Sequence, residues 1–160
     1  MGTTSLAELE RLYLSAYGRL SRVAVAITRD EGLAAEAVQE AFARAIRARS
    51  GFRGEGPLEA WVWRVVVNEA RRLAAGRQSV AGELPEAASP NGGAADADEA
   101  LRARIAALPE RQRLAVFLRY YADLDYRTIA SVLEVETGTV SATLHAAHRA
   151  LREAIGGVRS

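Results

Sequence analysis

LPERQRLAVFLRYYADLDYRTIASVLEVETGTVSATLHAAHRALREAI, residues 108–155, decides how this chain is read. Within it Ile129, Ala130, Val132 and Leu133 form a short apolar helical face, EVE at 134–136 forms a turn, and Val140, Leu144 and Leu151 recur at helical spacing. Two helices joined in this way pack as a helix-turn-helix, with the first supporting the second and the small Ala130 at their closest approach. The outward face of such a second helix can enter a DNA major groove. An ordinary helical hairpin has the same periodicity, so spacing alone leaves both readings open. Thr137 or Thr139 is expected to cap the last helix through its hydroxyl, and Asp123 and Asp125 to cap around the helix before it.

Moving toward the N-terminus, DEALRARIAALPERQRLAVFLRYY predicts two helices divided near Leu108-Pro109, with Pro109 in the first turn of the second. The stretch from Gln78 to Asp98 holds glycines, two prolines and small polar residues without apolar periodicity, and is expected to be a flexible linker. Its alternative is one long surface loop inside a single domain. LEAWVWRVVVNEARRLAAGR predicts a helix ending near Gly76, and GFRGEGP at 51–57 interrupts helix with three glycines and a proline. Before it, Leu33, Ala37, Val38, Ala41, Phe42 and Ala45 mark one helix. Leu6, Leu9, Tyr13, Tyr17, Leu20 and Ala24 mark another, which begins at Thr4 or Ser5. The predicted fold is all-α: two small helical domains, 1–77 and 99–160, joined by a flexible acidic linker, 78–98, with the helix-turn-helix in the second.

Composition narrows the function classes. The 160 residues contain no cysteine and only two histidines, His145 and His148, which excludes disulfide staples, a cysteine nucleophile and a cysteine-rich zinc site. A metal site on the two histidines would need ligands from elsewhere, and packing is the simpler role for them. No basic flank precedes a long apolar run and no segment is long and apolar enough to span a membrane, so a cytoplasmic protein without membrane insertion is expected. No nucleophile, base and ligand cluster is patterned around a cleft, so neither an enzyme nor a cofactor is expected. Net charge is only +1, but its distribution is uneven: 12 Arg against 9 acids in 1–80, none against 5 in 81–100, and 9 against 6 in 101–160. The window 44–77 carries 8 Arg and 3 acids, which suits a surface that neutralises phosphates.

Residues 108–155 resemble the promoter-recognising C-terminal domain of extracytoplasmic-function (ECF) sigma factors of the sigma-70 family. The resemblance is carried by Leu108 to Arg113, Phe117, Tyr126, Ile129, Ala130, Leu133, Gly138, Thr139, Val140, Leu144 and His145. The first half follows in the family's order. VQEAF at 38–42 looks like the polymerase-binding helix, and FRGEGPLEAWVWRVVVNEARRL at 52–73 like the stretch that melts and reads the promoter element near the start site. The resemblance covers residues 5–76 and 99–155. It implies an alternative sigma factor without a catalytic centre, whose partners are core RNA polymerase, promoter DNA and an anti-sigma factor. It further implies that Val38, Gln39, Glu40 and Phe42 serve polymerase binding. DNA binding would fall to Arg53, Trp61, Arg64, Asn68, Arg71, Arg72 and Arg77 in the first half, and to Thr139, Ser141, Thr143, His145 and Arg149 in the second. Of the two tryptophans, the core is the favoured place for Trp61, and Trp63 is left open between core and surface.

The chain also departs from the family pattern. Ser141, Thr143, Ala146 and His148 stand where lysine or arginine is common, leaving Arg149 and Arg152 on the recognition helix. Glu134 replaces a usual turn glycine, where a left-handed backbone costs a non-glycine residue about 1 kcal/mol. Leu33 and Ala35 stand where acidic residues are frequent. Two readings follow: a working alternative sigma factor, supported by the retained residues of 53–71, or a sigma-like accessory protein that binds polymerase or an anti-sigma partner without selecting promoters.

Overall fold

A computed structural model describes residues 4–50, 58–81 and 93–156. Among them every regular element is helical. The first, α1 (Leu6–Thr28), starts where Ser5 and Glu8 satisfy each other's backbone: the Ser5 hydroxyl accepts from Glu8 N at 3.1 Å and the Glu8 carboxylate accepts from Ser5 N at 2.7 Å. Arg29 ends it in a left-handed conformation, and Asp30 immediately caps α2 (Glu31–Ala48) by accepting from Leu33 N at 2.9 Å. Of the predicted α2 stripe, Ala37, Val38, Ala41, Phe42 and Ala45 are buried, and Leu33, at its N-terminal end, is half-buried. On α1 the face differs. Leu9, Ala16, Leu20, Val23 and Ala24 are buried, whereas Leu6, Tyr13 and Tyr17, which the apolar spacing puts inside, are exposed at 54%, 38% and 41%. They lie on the rim of the stripe, where a tyrosine packs one edge and keeps its polar tip in water. The Tyr13 ring stands edge-on to Phe42 at 5.0 Å.

Helix α3 (Leu58–Ala81) packs on both α1 and α2 and completes a three-helix bundle. It runs past Gly76, where the sequence reading ends it. A single glycine costs a helix only about 1 kcal/mol, and no proline follows until Pro85. Helix α4 (Gly93–Ala106) likewise begins inside the segment expected to be linker, so residues 78–81 and 93–98 are helical, and 82–92 lie outside the described residues. GFRGEGP at 51–57, with Arg53, lies outside them too.

The second bundle consists of α4, α5 (Glu110–Val116), α6 (Tyr126–Leu133) and α7 (Thr137–Gly156). Pro109 stands one position before α5, as its cap, rather than inside the first turn. Past Val116 the helix widens into a π-type turn over Phe117–Tyr121, in which Ala122 N reaches back five residues to Phe117 O at 3.2 Å. Nothing in the apolar spacing announces this turn. Asp125 caps α6 through Thr128 N at 2.7 Å, and bonds from the Thr128 side chain and backbone hold the Asp125 carboxyl below its ordinary range. Asp123 instead takes a left-handed backbone conformation, at φ 54°. At α7 the Glu136 carbonyl accepts from Thr139 N and Val140 N, so the helix starts there and Thr137 and Thr139 lie inside it rather than at its cap.

The two bundles touch along α3 with α6, and along α1 with the π-type turn, and their buried apolar side chains form one continuous cluster. Within the first bundle one buried charge ties α2 to α3. Glu69, 5% exposed in its side chain, receives Arg44 Nη2 at 2.8 Å and Arg72 Nη2 at 2.9 Å. The hydrogen bond from Arg72, with the charge of Arg44 beside it, holds the Glu69 carboxyl below its ordinary 4.5 despite burial. A depressed folded value means that this contribution to stability is complete above about pH 4.5 and fades as pH falls through the folded value. Glu69→Gln is expected to cost about 1–2 kcal/mol at neutral pH. The gap from the unsubstituted protein should close in urea melts carried toward pH 3, and a gap independent of pH would contradict the ionic account.

Candidate nucleic-acid interface

Helix α3 divides its residues cleanly between two faces. Val62, Trp63, Val66, Val67 and Ala70 are buried against α1 and α2, and Trp63 is fully enclosed. At 3.6 residues per turn, Trp61, Arg64, Asn68, Arg71 and Arg72 fall on the opposite side. Asn68, Arg71 and Arg72 are exposed, and Trp61 and Arg64 half-buried. Trp63 therefore belongs to the core, whereas Trp61, the tryptophan the sequence favours for the core, lies on the outward stripe and packs only partly against it. An aromatic face with flanking guanidinium groups and an amide is a combination that stacks an unpaired base and neutralises the adjoining phosphates.

The guanidinium groups of this stripe are already engaged. Arg64 Nε donates to Ser131 O at 3.2 Å and Arg64 Nη2 to Ser131 Oγ at 3.1 Å, with Glu134 Oε1 at 3.8 Å from Nε. Arg71 pairs with Glu110, and Arg72 turns inward to Glu69. Arg77 departs from the stripe altogether. Its Nη1 lies 3.2 Å from Asp30 Oδ2 at the start of α2, because position 77 is half a turn away from position 68 on the helix.

In the second bundle α6 and α7 form the helix-turn-helix. Ile129, Ala130 and Val132 of α6 are buried, as are Val140, Leu144 and Ala147 of α7, and Val135 N closes the turn on Ala130 O at 3.0 Å. Glu134 does take the left-handed conformation, with φ 57° and ψ 48°. Ser141, Ala142, His145, Arg149 and Arg152 share the exposed face of α7, while Thr139 and Thr143 sit half-buried on its flank. His148 is drawn aside: its Nε2 is 2.6 Å from the Tyr120 hydroxyl, leaving His145 as the histidine on the outward face. Arg127, exposed beside the Asp125 cap, escaped the sequence reading. A cation in the first turn of a supporting helix is the signal that marks it, since that helix crosses the DNA backbone.

On α2, Val38 is fully buried and Phe42 nearly so, which makes them anchors. They present Gln39, exposed, and Glu40, whose Oε1 receives Arg44 Nε at 3.1 Å and Arg47 Nη2 at 3.2 Å.

The chain thus joins a helix-turn-helix to a bundle that bears an outward aromatic and cationic stripe. Comparison with known proteins carries the assignment further. Sigma-70 region 2 matches residues 12–80 and sigma-70 region 4 matches residues 98–151. The ECF RNA polymerase sigma-E factor of Escherichia coli K12 is 32% identical over 134 residues, covering 72% of this chain and 70% of the relative. The RNA polymerase sigma-H factor of Pseudomonas aeruginosa is 30% identical over 149 residues, covering 82% and 77%. Among solved structures, CnrH in complex with the cytosolic domain of CnrY superimposes with a TM-score of 0.74 at 19% identity, over 96% of this chain and 90% of that one. RpoE in complex with the anti-sigma factor NepR from Bartonella quintana does so with 0.70 at 19% identity, over 94% and 98%. The chain belongs to the ECF group of the sigma-70 family: it is an alternative sigma factor directing transcription initiation, and it is not an enzyme. Core RNA polymerase and promoter DNA are its partners, and no helix among the described residues is long and apolar enough to cross a membrane.

The left-handed Glu134 makes a direct stability test of the turn. Glu134→Gly removes a backbone strain of about 1 kcal/mol at the expense of a freer unfolded chain. The thermal midpoint is expected to stay level or rise by a few degrees, and a clear fall would contradict the geometry of the turn.

Proposed function

We propose the following division of labour within the sigma-factor role. The region 1–77 binds polymerase and the promoter element near the start site, and the region 99–160 reads the upstream element. On α2, Gln39 and Glu40 face the polymerase from a helix fixed by Val38 and Phe42. On α3, Trp61 stacks an extruded base, Asn68 bonds a base edge or the backbone, and Arg64, Arg71 and Arg72 neutralise phosphates, with Arg53 of the preceding segment joining them. On α7, Ser141, His145 and Arg149 face the groove, and Thr139 and Thr143 support them from the flank. The observation that carries this reading is the single outward stripe of α3, on which aromatic, amide and guanidinium groups follow one another. Arg77 lies off this stripe, half a turn round the helix, where it pairs with Asp30.

The neutral face of α7 qualifies the upstream contact. Ser141 and Ala142 offer one hydroxyl and no charge, and only Arg149 and Arg152 are cationic, so this helix contributes few phosphate contacts and a shallow salt dependence. That observation favours a second reading, a sigma-like accessory protein that does not itself select promoters. The protein acts in the cytoplasm, where the polymerase it serves is found. Both structural neighbours were solved with a partner protein, one of them NepR, an anti-sigma factor, which supports an anti-sigma partner here as well.

In holoenzyme, Arg64→Ala and Arg71→Ala are expected to reduce heparin-resistant promoter complexes by about tenfold or more, at roughly 1–3 kcal/mol for each lost charge-assisted contact. Arg149→Ala should lower upstream-element binding by less. The reverse ranking would transfer promoter engagement from α3 to α7 and refute the division of labour.

A further inference from the structure

The outward face of α7 is short of cations, yet a group from outside the helix stands at its edge. Tyr120, in the π-type turn, is 57% exposed, and its hydroxyl lies 2.6 Å from His148 Nε2. We propose that Tyr120 is a contact for the DNA backbone: its phenol donates to a phosphate beside the groove that α7 faces, and His148 is the positioning residue that holds the phenol there. The proposal rests on the reading of α7 as the groove-facing helix.

The π-type turn fixes the neighbours of Tyr120 and presents Tyr120 itself. Phe117 and Leu118 are buried, and the Tyr121 ring stacks on Phe117 at 5.3 Å with 21° between the planes. Arg119 is pinned as well: its Nη1 donates to Leu124 O at 3.1 Å, and its guanidinium carbon lies 5.7 Å from the centre of the Tyr126 ring. Between these two anchored residues Tyr120 reaches α7, where its ring lies 5.6 Å from that of His148. A side chain held at both ring and hydroxyl has little freedom left to lose on binding. Turns of this type recur at functional sites.

The placement favours a phosphate over a base. At 3.6 residues per turn His148 lies about 60° round α7 from His145, on the edge of the exposed arc and next to Ser141 and Arg152. Tyr120 extends that arc sideways, away from the side chains aimed at base edges, and contacts of that kind fix register on the backbone. Arg152, exposed one turn beyond His148, adds positive charge to the same edge. The protons are also accounted for. With the imidazole proton on Nε2, His148 donates to Tyr120 Oη, and the phenol's own proton goes to the phosphate oxygen. A phenol that accepts one hydrogen bond is a better donor of the next. In the other tautomer the phenol donates to Nε2 and has no proton left for DNA, so a bound phosphate selects the Nε2–H form.

The test measures binding of the full chain to a short fluorescein-labelled DNA duplex of mixed sequence over a range of salt concentrations, since backbone contacts are independent of sequence. Tyr120→Phe keeps the ring and removes only the hydroxyl. It should lower affinity about three- to tenfold with the salt slope unchanged, because a neutral donor releases no counterion. Arg149→Ala should instead flatten that slope by about one. His148→Ala should weaken binding as Tyr120→Phe does, and the two together should cost no more than either alone. Nitrogen-15 spectra of the bound chain should show the His148 proton on Nε2. Unchanged affinity in Tyr120→Phe while Arg149→Ala is felt would overturn the phenol contact alone, and silence of both variants would overturn the reading of α7 as well. An Nε2 without its proton in the complex would refute the relay. A loss in Tyr120→Phe that only follows a lowered thermal midpoint would reduce the pair to packing.

Discussion

The structure depends on α3 having a partner on each of its sides. Its inner face, with Trp63 fully enclosed among Val62, Val66, Val67 and Ala70, is the wall on which α1 and α2 close. Burying that face carries Glu69 with it, and a carboxylate so placed must be paired or neutralised. Arg44 from α2 and Arg72 from α3 supply the pairing, which fixes how those two helices lie against each other. The outer face then inherits what the core rejects: an amide, a partly covered indole and a row of guanidinium groups. On that face Arg64 and Arg71 meet Ser131, Glu134 and Glu110 of the neighbouring bundle.

The same constraint brings the helix-turn-helix against α3. Its turn has to be tight, because Ala130 brings the two helices close and Val135 N must reach Ala130 O. A tight turn forces one residue into the left-handed region, and here that residue is a glutamate rather than a glycine. Glycine would serve the backbone better but would leave Arg64 without its carboxylate neighbour. The local strain at Glu134 and the contact between the domains thus reside in one residue. A family position usually read as a turn device acquires an electrostatic role in this chain.

Much of this is legible in the amino-acid sequence itself. Apolar spacing locates α2 and both helices of the helix-turn-helix, Asp125 announces the cap of α6, and the family resemblance, with glycine usual at position 134, points to the left-handed Glu134. What spacing misses has physical causes. A periodicity of 3.6 cannot tell the centre of a buried stripe from its rim, so Leu6, Tyr13 and Tyr17 look buried and are not. Gly76 looks like a helix end, yet the penalty of one glycine is smaller than the gain from continuing. The π-type turn at Phe117–Tyr121 leaves no mark in apolar spacing. Above all, Arg64 and Ser131 are 67 residues apart in sequence, and no local pattern links them. The arginines of 64–77 stand out by their density in the sequence, but their partners, and the exit of Arg77 to Asp30, belong to tertiary structure.

Promoter selection conferred on core polymerase is the property on which everything above converges. The direct measurement is transcription in vitro from fragmented DNA of the source organism, by purified core RNA polymerase with and without the protein. Discrete protein-dependent transcripts that share an upstream sequence are the predicted result. Measurable binding to core polymerase with no protein-dependent transcript would contradict it and leave the accessory reading in its place.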